Sequence, residues 1–284
     1  MSEDFSLRSL LRASALAPAE AKILMAHVIE KHYQLPRSAV LSQDNLQLHP
    51  EALREWQALE TKRLQGQPIA YLVGKKGFHN IELHVAPGVL IPRPETELLV
   101  EIGLREIGLL RGEAQVLDLG TGSGAIALAI ASECAQALVT ATDQSELALD
   151  IAKANAKELH LINRVQFFQG NWYEALESNS FFDIILSNPP YISAQDVHLT
   201  QGDLRFEPIS ALTDHADGLA CIKTIIEGAK AHLRLGGLIA IEHGFDQSDA
   251  VLALMKTAGL SDIQTHLDLA GHRRVASGRN PKRQ

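Results

Sequence analysis

The chain has 284 residues, 46% hydrophobic and 21% charged, which predicts an ordinary globular protein with room for one large domain and a smaller one. Its formal net charge of -8 argues against a sequence-independent DNA or RNA binder, and no apolar run approaches the roughly 18 residues of a membrane span. Cys134 and Cys221 stand far apart, the histidines show no zinc spacing, and Met1 to Asp4 is acidic without a signal pattern, so a reduced, cytoplasmic protein without a metal site is expected.

Apolar residues at helical spacing predict three or four short helices between Ser6 and about Gln65: Leu7, Leu10 and Leu11, then Ala21, Leu24, Met25 and Val28, then Leu53, Trp56, Leu59 and Leu64 behind Pro50. This small bundle either packs only or serves as a docking module for a macromolecular substrate. From Gly66 to about Arg93 the pattern alternates through Phe78, Ile81, Leu83 and Val85, which predicts a β-hairpin joining two domains. The expected division is a helical domain over 1–72, a hairpin linker over 73–97 and a larger domain over 98–284. Pro92 and Pro94 hold Arg93 and Glu95 in a stiff turn, and Thr96 stands where it can cap the helix through Leu98, Leu99, Ile102 and Leu104.

Next, Gln115 to Leu119 is a short apolar strand running into Gly120-Thr121-Gly122-Ser123-Gly124, and a helix follows through Ile126, Leu128 and Ile130. Glycines let a ligand approach the backbone, and a helix N-terminus offers free N–H groups. Roughly 20 residues on, Val139 to Asp143 is a second strand ending in an acid, the usual partner of ribose hydroxyls. Gly120-x-Gly122-x-x-Ala125 with that acid also satisfies the dinucleotide fingerprint, so the bare pattern indicates nucleoside binding. Asp118 shifts the choice: a carboxylate beside the turn repels a pyrophosphate but suits the cationic amino-acid end of S-adenosylmethionine. A third strand, Val165 to Gln169, ends at Gly170-Asn171-Trp172, where Asn171 and Trp172 suit an adenine edge and face or, equally, a cap and core.

A fourth strand, Phe181 to Ser187, stops at Asn188-Pro189-Pro190-Tyr191. Two prolines cannot continue a paired strand, so an amide and a ring are held at the tip of a stiff loop. The Asn188 side-chain oxygen and the Pro189 carbonyl are two acceptors on one frame, which suits an NH2 group on an sp2 carbon. Gripping both protons orients that poor nucleophile and favours positive charge on nitrogen during attack. Beyond this loop, Leu219 to Leu235 is expected as a helix ending at Gly236-Gly237, Leu238 to Glu242 as a strand and Gln247 to Ala258 as a helix. Ile263 to Leu267 and Arg274 to Ser277 are expected as strands, and Arg279 to Gln284 as a frayed basic end. The whole is an alternating α/β domain.

Taken together, the chain resembles the HemK/PrmC family of protein-glutamine methyltransferases. The carriers are Ile91-Pro-Arg-Pro-Glu-Thr-Glu97, Asp118-Leu-Gly-Thr-Gly-Ser-Gly124, Asn188-Pro-Pro-Tyr191, Glu207-Pro208 with Asp217-Gly218-Leu219, and Asp268-Leu-Ala-Gly-His-Arg-Arg-Val275. The resemblance implies a seven-stranded, Rossmann-like, S-adenosylmethionine-dependent domain behind a helical bundle. It implies methyl transfer to N5 of the glutamine in the Gly-Gly-Gln loop of class 1 peptide chain release factors, by direct in-line transfer without a side-chain base. On this sequence it implies that Asp118, Gly120, Thr121, Gly122 and Gly124 shape the methionine pocket and that Asp143 holds the ribose. Asn171 and Trp172 then lie at the adenine. The family often has Asp where Asn171 stands. Asn188 serves both cofactor and acceptor, Pro189 and Tyr191 complete the catalytic loop, and Pro190, Arg93 and Glu207 join them on the substrate side. His243 has no implied role. The protein is expected to act as a monomer on a protein substrate.

Rival readings are glutamine methylation of a ribosomal protein, adenine methylation in nucleic acid, a dinucleotide oxidoreductase and a non-catalytic adaptor. The oxidoreductase gives Asn188-Pro-Pro-Tyr191 no purpose, and adenine methylation would need a basic surface to grip phosphates.

Overall fold

The computed structural model describes residues 4–282, so the acidic stretch Met1 to Glu3 and the last two residues lie outside the described residues. The chain divides into two compact units, Met1–Lys75 and Lys76–Gln284.

Among its described residues the first unit holds five helices, α1 (Leu7–Ala13), α2 (Pro18–Tyr33), α3 (Ala39–Ser42), α4 (Pro50–Leu64) and α5 (Ile69–Val73). Their starts follow local chemistry. Ser6 accepts from the Ser9 N–H to open α1, Pro18 occupies the first turn of α2, and His49 caps α4 ahead of Pro50. Leu24, Met25, Ile29 and Trp56 close a core of their own, each such side chain stabilising by ~1.5–3 kcal/mol relative to exposure. The alternation expected from Gly66 is corrected at its start: Pro68 opens α5 and Gly74, left-handed at φ 73°, ends it.

In the second unit a short hairpin, β1 (Lys75–Phe78) and β2 (Ile81–His84), precedes α6 (Glu97–Ile107). Then come β3 (Ala114–Leu119), α7 (Ala125–Glu133), β4 (Ala137–Asp143), α8 (Glu146–Glu158), β5 (Val165–Gln169) and β6 (Phe182–Ser187). After a short α9 (Ile209–Leu212), the chain finishes with α10 (Ala220–His232), β7 (Leu233–Glu242), α11 (Ser248–Thr257), β8 (Ser261–Leu267) and β9 (Arg273–Arg279). Seven strands form one sheet in the order β5-β4-β3-β6-β7-β9-β8. Pairing is parallel from β5 through β7, and β9 runs antiparallel to both neighbours. This is the seven-stranded α/β sheet that the resemblance implied.

Alternate residues of the strands feed two cores. Val116, Ile184 and Leu186 pack with α6 and α7, while Leu117, Ile185 and Ile239 pack with α10 and α11. The chain builds outward from β3 to β5, then returns to place β6 on the other side of β3. That reversal opens a crevice at the carboxyl ends of β3 and β6.

Two expectations fail at the C-terminal end. The helix stops at His232, and Leu233 is already paired with Phe182. Gly236-Gly237 sits inside β7, where the register shifts between Phe182 and Ile184 and Gly236 takes φ 84°. A bulge needs a left-handed residue as readily as a helix end does, so the glycine pair alone could not separate them. Arg279 and Asn280 are not frayed. Arg279 pairs with Glu106, and the buried Asn280 donates to the Leu233 carbonyl at 2.8 Å.

Candidate active site

The glycine turn is held by short-range bonds. The Gly120 and Thr121 N–H groups both donate to the Thr142 carbonyl at 2.9 Å, which ties the end of β3 to the end of β4. Gly122 has φ 57°, and a Cβ there would meet nothing within 4 Å, so the backbone is open to a ligand. Asp143 accepts from the Gly122 N–H through one oxygen and from the Ser145 N–H through the other, both at 2.9 Å. Burial raises its carboxyl above the ordinary range against these bonds. Each oxygen keeps a lone pair for a diol.

Trp172 forms the opposite wall. It is a non-glycine residue at φ 49°, an uncommon conformation that turns its ring over the glycines; a Cβ on Gly120 would lie 3.2 Å from that ring. Gly120, Gly122, Asp143, Asn171, Trp172 and Asn188 line one cleft of about 290 Å³. Gly88, Val89 and Leu90 after the hairpin and Pro208, Ser210 and Ala211 line it as well. Of these residues Pro208 belongs to the Glu207-Pro208 motif, whereas Val89, Ser210 and Ala211 carried no sequence signal.

Three residues expected at the cofactor lie behind this wall. Asp118 is fully buried; one oxygen accepts from the Thr121 hydroxyl at 2.6 Å and from the Ala127 N–H at 3.1 Å, and the other has no partner among the described residues. Burial, with Asp143 nearby, pushes its carboxyl up to about 7. β3 points this side chain at the start of α7, so it occupies the helix N-terminus rather than lining the cleft. Thr121 spends its hydroxyl on Asp118. Gly124 is needed for packing, since a Cβ would come within 2.8 Å of Leu128.

The loop after β6 is braced from far along the chain. Ser187 donates to the Leu119 carbonyl at 2.8 Å, fixing the strand ends side by side. Asn188 Nδ2 donates to Thr96 Oγ1 at 2.9 Å. Thr96 therefore does not cap α6: it has helical dihedrals at the end of a tight turn, Pro94–Thr96, and makes no capping bond. Tyr191 donates its hydroxyl to Glu242 Oε1 at 3.0 Å, and Gln247 holds the Tyr191 carbonyl at 3.0 Å. Burial raises the Tyr191 phenol far above its usual range. Gly218 explains the Asp217-Gly218-Leu219 motif, because a Cβ there would lie 2.2 Å from the Tyr191 oxygen.

Glu207 is buried and lies outside the cleft. It accepts from the Ile91 N–H at 2.9 Å and pairs with Arg93, so it pins the proline turn. Arg93, Asn188, Pro189 and Tyr191 line a second cavity of about 110 Å³ with Leu204 and Leu212. Pro190 faces the first cleft instead. Leu90, Asn188 and Ala211 belong to both cavities, so the two meet at the Asn188 side chain. Sequence reasoning missed Asn155 as well: buried on α8, it bonds His84 on both backbone groups and the Ser123 carbonyl, joining the hairpin to the glycine turn. In the helical unit His32, His49 and Glu51 bring ligating atoms within 4.8 Å, but His32 is bonded to Glu55 and His49 to the Ala52 N–H.

The open glycine, the diol-ready carboxylate and the indole wall fit an adenosyl group. Residues 6–74 match the PrmC N-terminal domain family, and residues 95–204 match the Methyltransferase small domain family. Among solved structures, a methyltransferase from Pyrococcus furiosus superposes with a TM-score of 0.55 at 19% identity, covering 78% of this chain and 98% of its own. A 16S rRNA methyltransferase from Thermus thermophilus, solved with S-adenosylmethionine and guanosine, gives 0.53 at 22% identity over 74% and 50%. Both show the fold. A release factor glutamine methyltransferase of Bordetella pertussis is 47% identical over 274 residues, 96% of this chain and 98% of the relative. Its counterpart in Xylella fastidiosa is 48% identical over 92% and 93%, and that of Salmonella typhimurium 42% identical over 95% and 94%. With near-complete coverage of both partners at this identity, the chain belongs to the family of release factor glutamine methyltransferases.

Proposed function

We infer that this protein transfers a methyl group from S-adenosylmethionine to the side-chain nitrogen N5 of a glutamine in a peptide chain release factor, at the Gly-Gly-Gln loop of class 1 factors. The observation that carries this reading is the junction of the two cavities at Asn188, whose Nδ2 is spent on Thr96. Its Oδ1 is left to accept, beside Pro189 in the same wall.

Asp143 takes the ribose hydroxyls, Gly120 and Gly122 admit the methionine arm to the backbone, and Trp172 with Asn171 encloses the base. Asp118 supports this from beneath, holding Thr121 and the first turn of α7 in place. When bound, the cofactor supplies an electrophilic methyl carbon. Asn188 Oδ1 and the Pro189 carbonyl hold both amide protons of the acceptor, which aims nitrogen across the junction and stabilises its growing positive charge. Tyr191 and Leu212 close the cavity against water.

No residue lining the acceptor cavity is placed as a base. Arg93 cannot accept a proton, and the Tyr191 hydroxyl is committed to Glu242. The proton leaves after transfer, when the cationic nitrogen is strongly acidic. The helical unit, 1–72, is the docking module for the factor, and the enzyme works as a monomer in the cytoplasm; its acidic charge and the absence of a membrane-spanning helix among the described residues accord with that.

The test offers the protein radiolabelled S-adenosylmethionine with a release factor, that factor with its Gly-Gly-Gln glutamine changed to alanine, ribosomal proteins and DNA. Label on the intact factor alone is expected. Label on ribosomal protein or DNA would keep the amide-gripping chemistry and discard the substrate.

A further inference from the structure

Consecutive prolines leave the acceptor loop without backbone N–H groups at Pro189 and Pro190, so nothing can hold it there by its donors. Its head is tied at Asn188, whose Nδ2 meets Thr96. Its tail is tied at the Tyr191 backbone carbonyl, and the group that ties it is the Gln247 amide.

Gln247 stands at the N-cap of α11, where a polar side chain ordinarily turns back to the helix's own N–H groups. It makes no capping bond. Its Oε1 instead accepts from the Gly244 N–H at 2.8 Å, and its Nε2 donates to the Tyr191 carbonyl at 3.0 Å and to the Gly218 carbonyl at 3.4 Å. Both ends of the amide are thus engaged. The partners also fix which way round it lies, because a backbone N–H only donates and a carbonyl only accepts.

One half-buried side chain therefore joins the loop after β7 to the acceptor loop 56 positions earlier and to the turn at Gly218, 29 positions earlier. That turn is itself well held. Asp214 accepts from the Ala216, Gly218 and Ala220 N–H groups at 2.8, 2.9 and 2.8 Å. Gly218 also lacks the Cβ that would lie 2.8 Å from Gln247 Nε2. Just beyond the clamp, the Ile192 and Ala194 N–H groups donate to the carbonyls of Leu212 and Ala216 at 2.9 and 3.0 Å.

We propose that Gln247 is a positioning residue for methyl transfer: by clamping the Tyr191 carbonyl it fixes the tail of the acceptor loop, and with it the Pro189 carbonyl that holds the acceptor amide. Only the two prolines stand between Asn188 and Tyr191, and their φ is fixed, so anchoring both ends leaves the Pro189 carbonyl little freedom. Gln247 lines neither cavity, so it acts through the loop and touches no reactant. The inference rests on the reading that this loop grips the acceptor amide.

The test compares wild type with Gln247→Met, which keeps the length and removes the hydrogen bonds, and with Val251→Ala, which thins the buried packing of α11 and leaves the clamp in place. Gln247→Met is expected to lower kcat for the release factor by about 10- to 100-fold, the scale of a misplaced reacting group, with the Michaelis constant and cofactor affinity each within about threefold of wild type. Loosening the loop costs productive geometry and adds no clash, so the loss falls on kcat. Val251→Ala should leave kcat close to wild type. Hydrogen exchange supplies a readout that needs no turnover. In Gln247→Met the Ile192 and Ala194 N–H groups should exchange about tenfold faster or more, while the Gly120 N–H on the Thr142 carbonyl keeps its protection. A wild-type kcat in Gln247→Met, or an equal loss of kcat in Val251→Ala, overturns the proposal. So does unchanged exchange at Ile192 and Ala194. Failure of wild type to methylate any release factor would instead sink the functional reading, and the exchange comparison would still decide whether Gln247 clamps the loop.

Discussion

The two walls of the site are built by opposite means. On the cofactor side, most bonds that shape the glycine turn span few positions: Asp118 to Thr121 and Ala127, three and nine apart, and Asp143 to Ser145 and Gly122, two and 21 apart, with Asn155 to Ser123, 32 apart, a longer tie. On the acceptor side the bracing spans are 92 positions for Asn188 to Thr96, 114 for Arg93 to Glu207 and 51 for Tyr191 to Glu242. A binding turn that is nearly self-contained can be copied between proteins as a motif. An acceptor loop held by the whole sheet is specific to its fold, and its loss should leave the first wall standing.

The sharpest test of that separation is Asn188→Ala. Turnover on the release factor is expected to fall by about 100- to 1,000-fold, as when one preorganised polar partner of a developing charge is removed. Cofactor affinity measured by calorimetry should hardly change. Equal loss of both would erase the distinction between the walls.

Asp143→Ala is the reciprocal case. If Asp143 holds the diol as proposed, removing it should weaken cofactor binding by about 10- to 100-fold, since bonds to charged groups contribute roughly 1.5–3 kcal/mol. At saturating cofactor, kcat should recover most of its wild-type value. A persistent kcat defect would mean that Asp143 also shapes the acceptor side.

A smaller effect is expected for Gly218→Ala. Its Cβ meets the Tyr191 oxygen at 2.2 Å with φ at 85°, so the acceptor loop must shift at a cost of roughly 1–3 kcal/mol. The Michaelis constant for the release factor should rise and the melting temperature fall, with cofactor affinity retained. An unchanged Michaelis constant would show that Tyr191 is not held by this contact.

The smallest effect concerns pH and stability. Burial holds the Asp118 carboxyl at about 7 in the fold, above its ordinary 3.8. Between those values the folded state binds more protons than the unfolded chain, so stability declines as pH rises and is lost through about 7. Asn at 118 keeps an oxygen for Thr121 and Ala127 and removes the charge. Asp118→Asn should therefore flatten the slope of unfolding free energy between pH 5 and 8, checked by urea titration. A slope as steep as wild type would assign the dependence to Glu242, which burial also pushes up to about 7.

Much of this was legible beforehand, for reasons that differ by residue. Gly120, Gly122 and Asp143 were found by spacing because the strand, turn and helix that carry them are local. Asn188-Pro-Pro-Tyr191 was found because consecutive prolines after a β-branched run have few structural uses. Asp118 was misplaced because a sequence shows that a carboxylate neighbours a turn but not which way its strand points it. Thr96 was taken for a cap, since threonine before a helix usually is one, and its true partner lies 92 positions away.

By itself, the sequence determined most of the order of strands and helices, the glycine turn after β3 and the stiff proline loop after β6. Those depend on periodicity, backbone restriction and hydrogen-bond inventory, all properties of neighbours along the chain. Only the tertiary structure decided that Glu207 pins the proline turn, that Gly236-Gly237 is a bulge within β7, and that Thr96 meets Asn188 while Glu242 meets Tyr191. The physical reason differs only at the bulge, which a glycine pair permits but the register decides; elsewhere a buried polar group must find its partner wherever the packed sheet brings one, a choice made in space after the chain has folded.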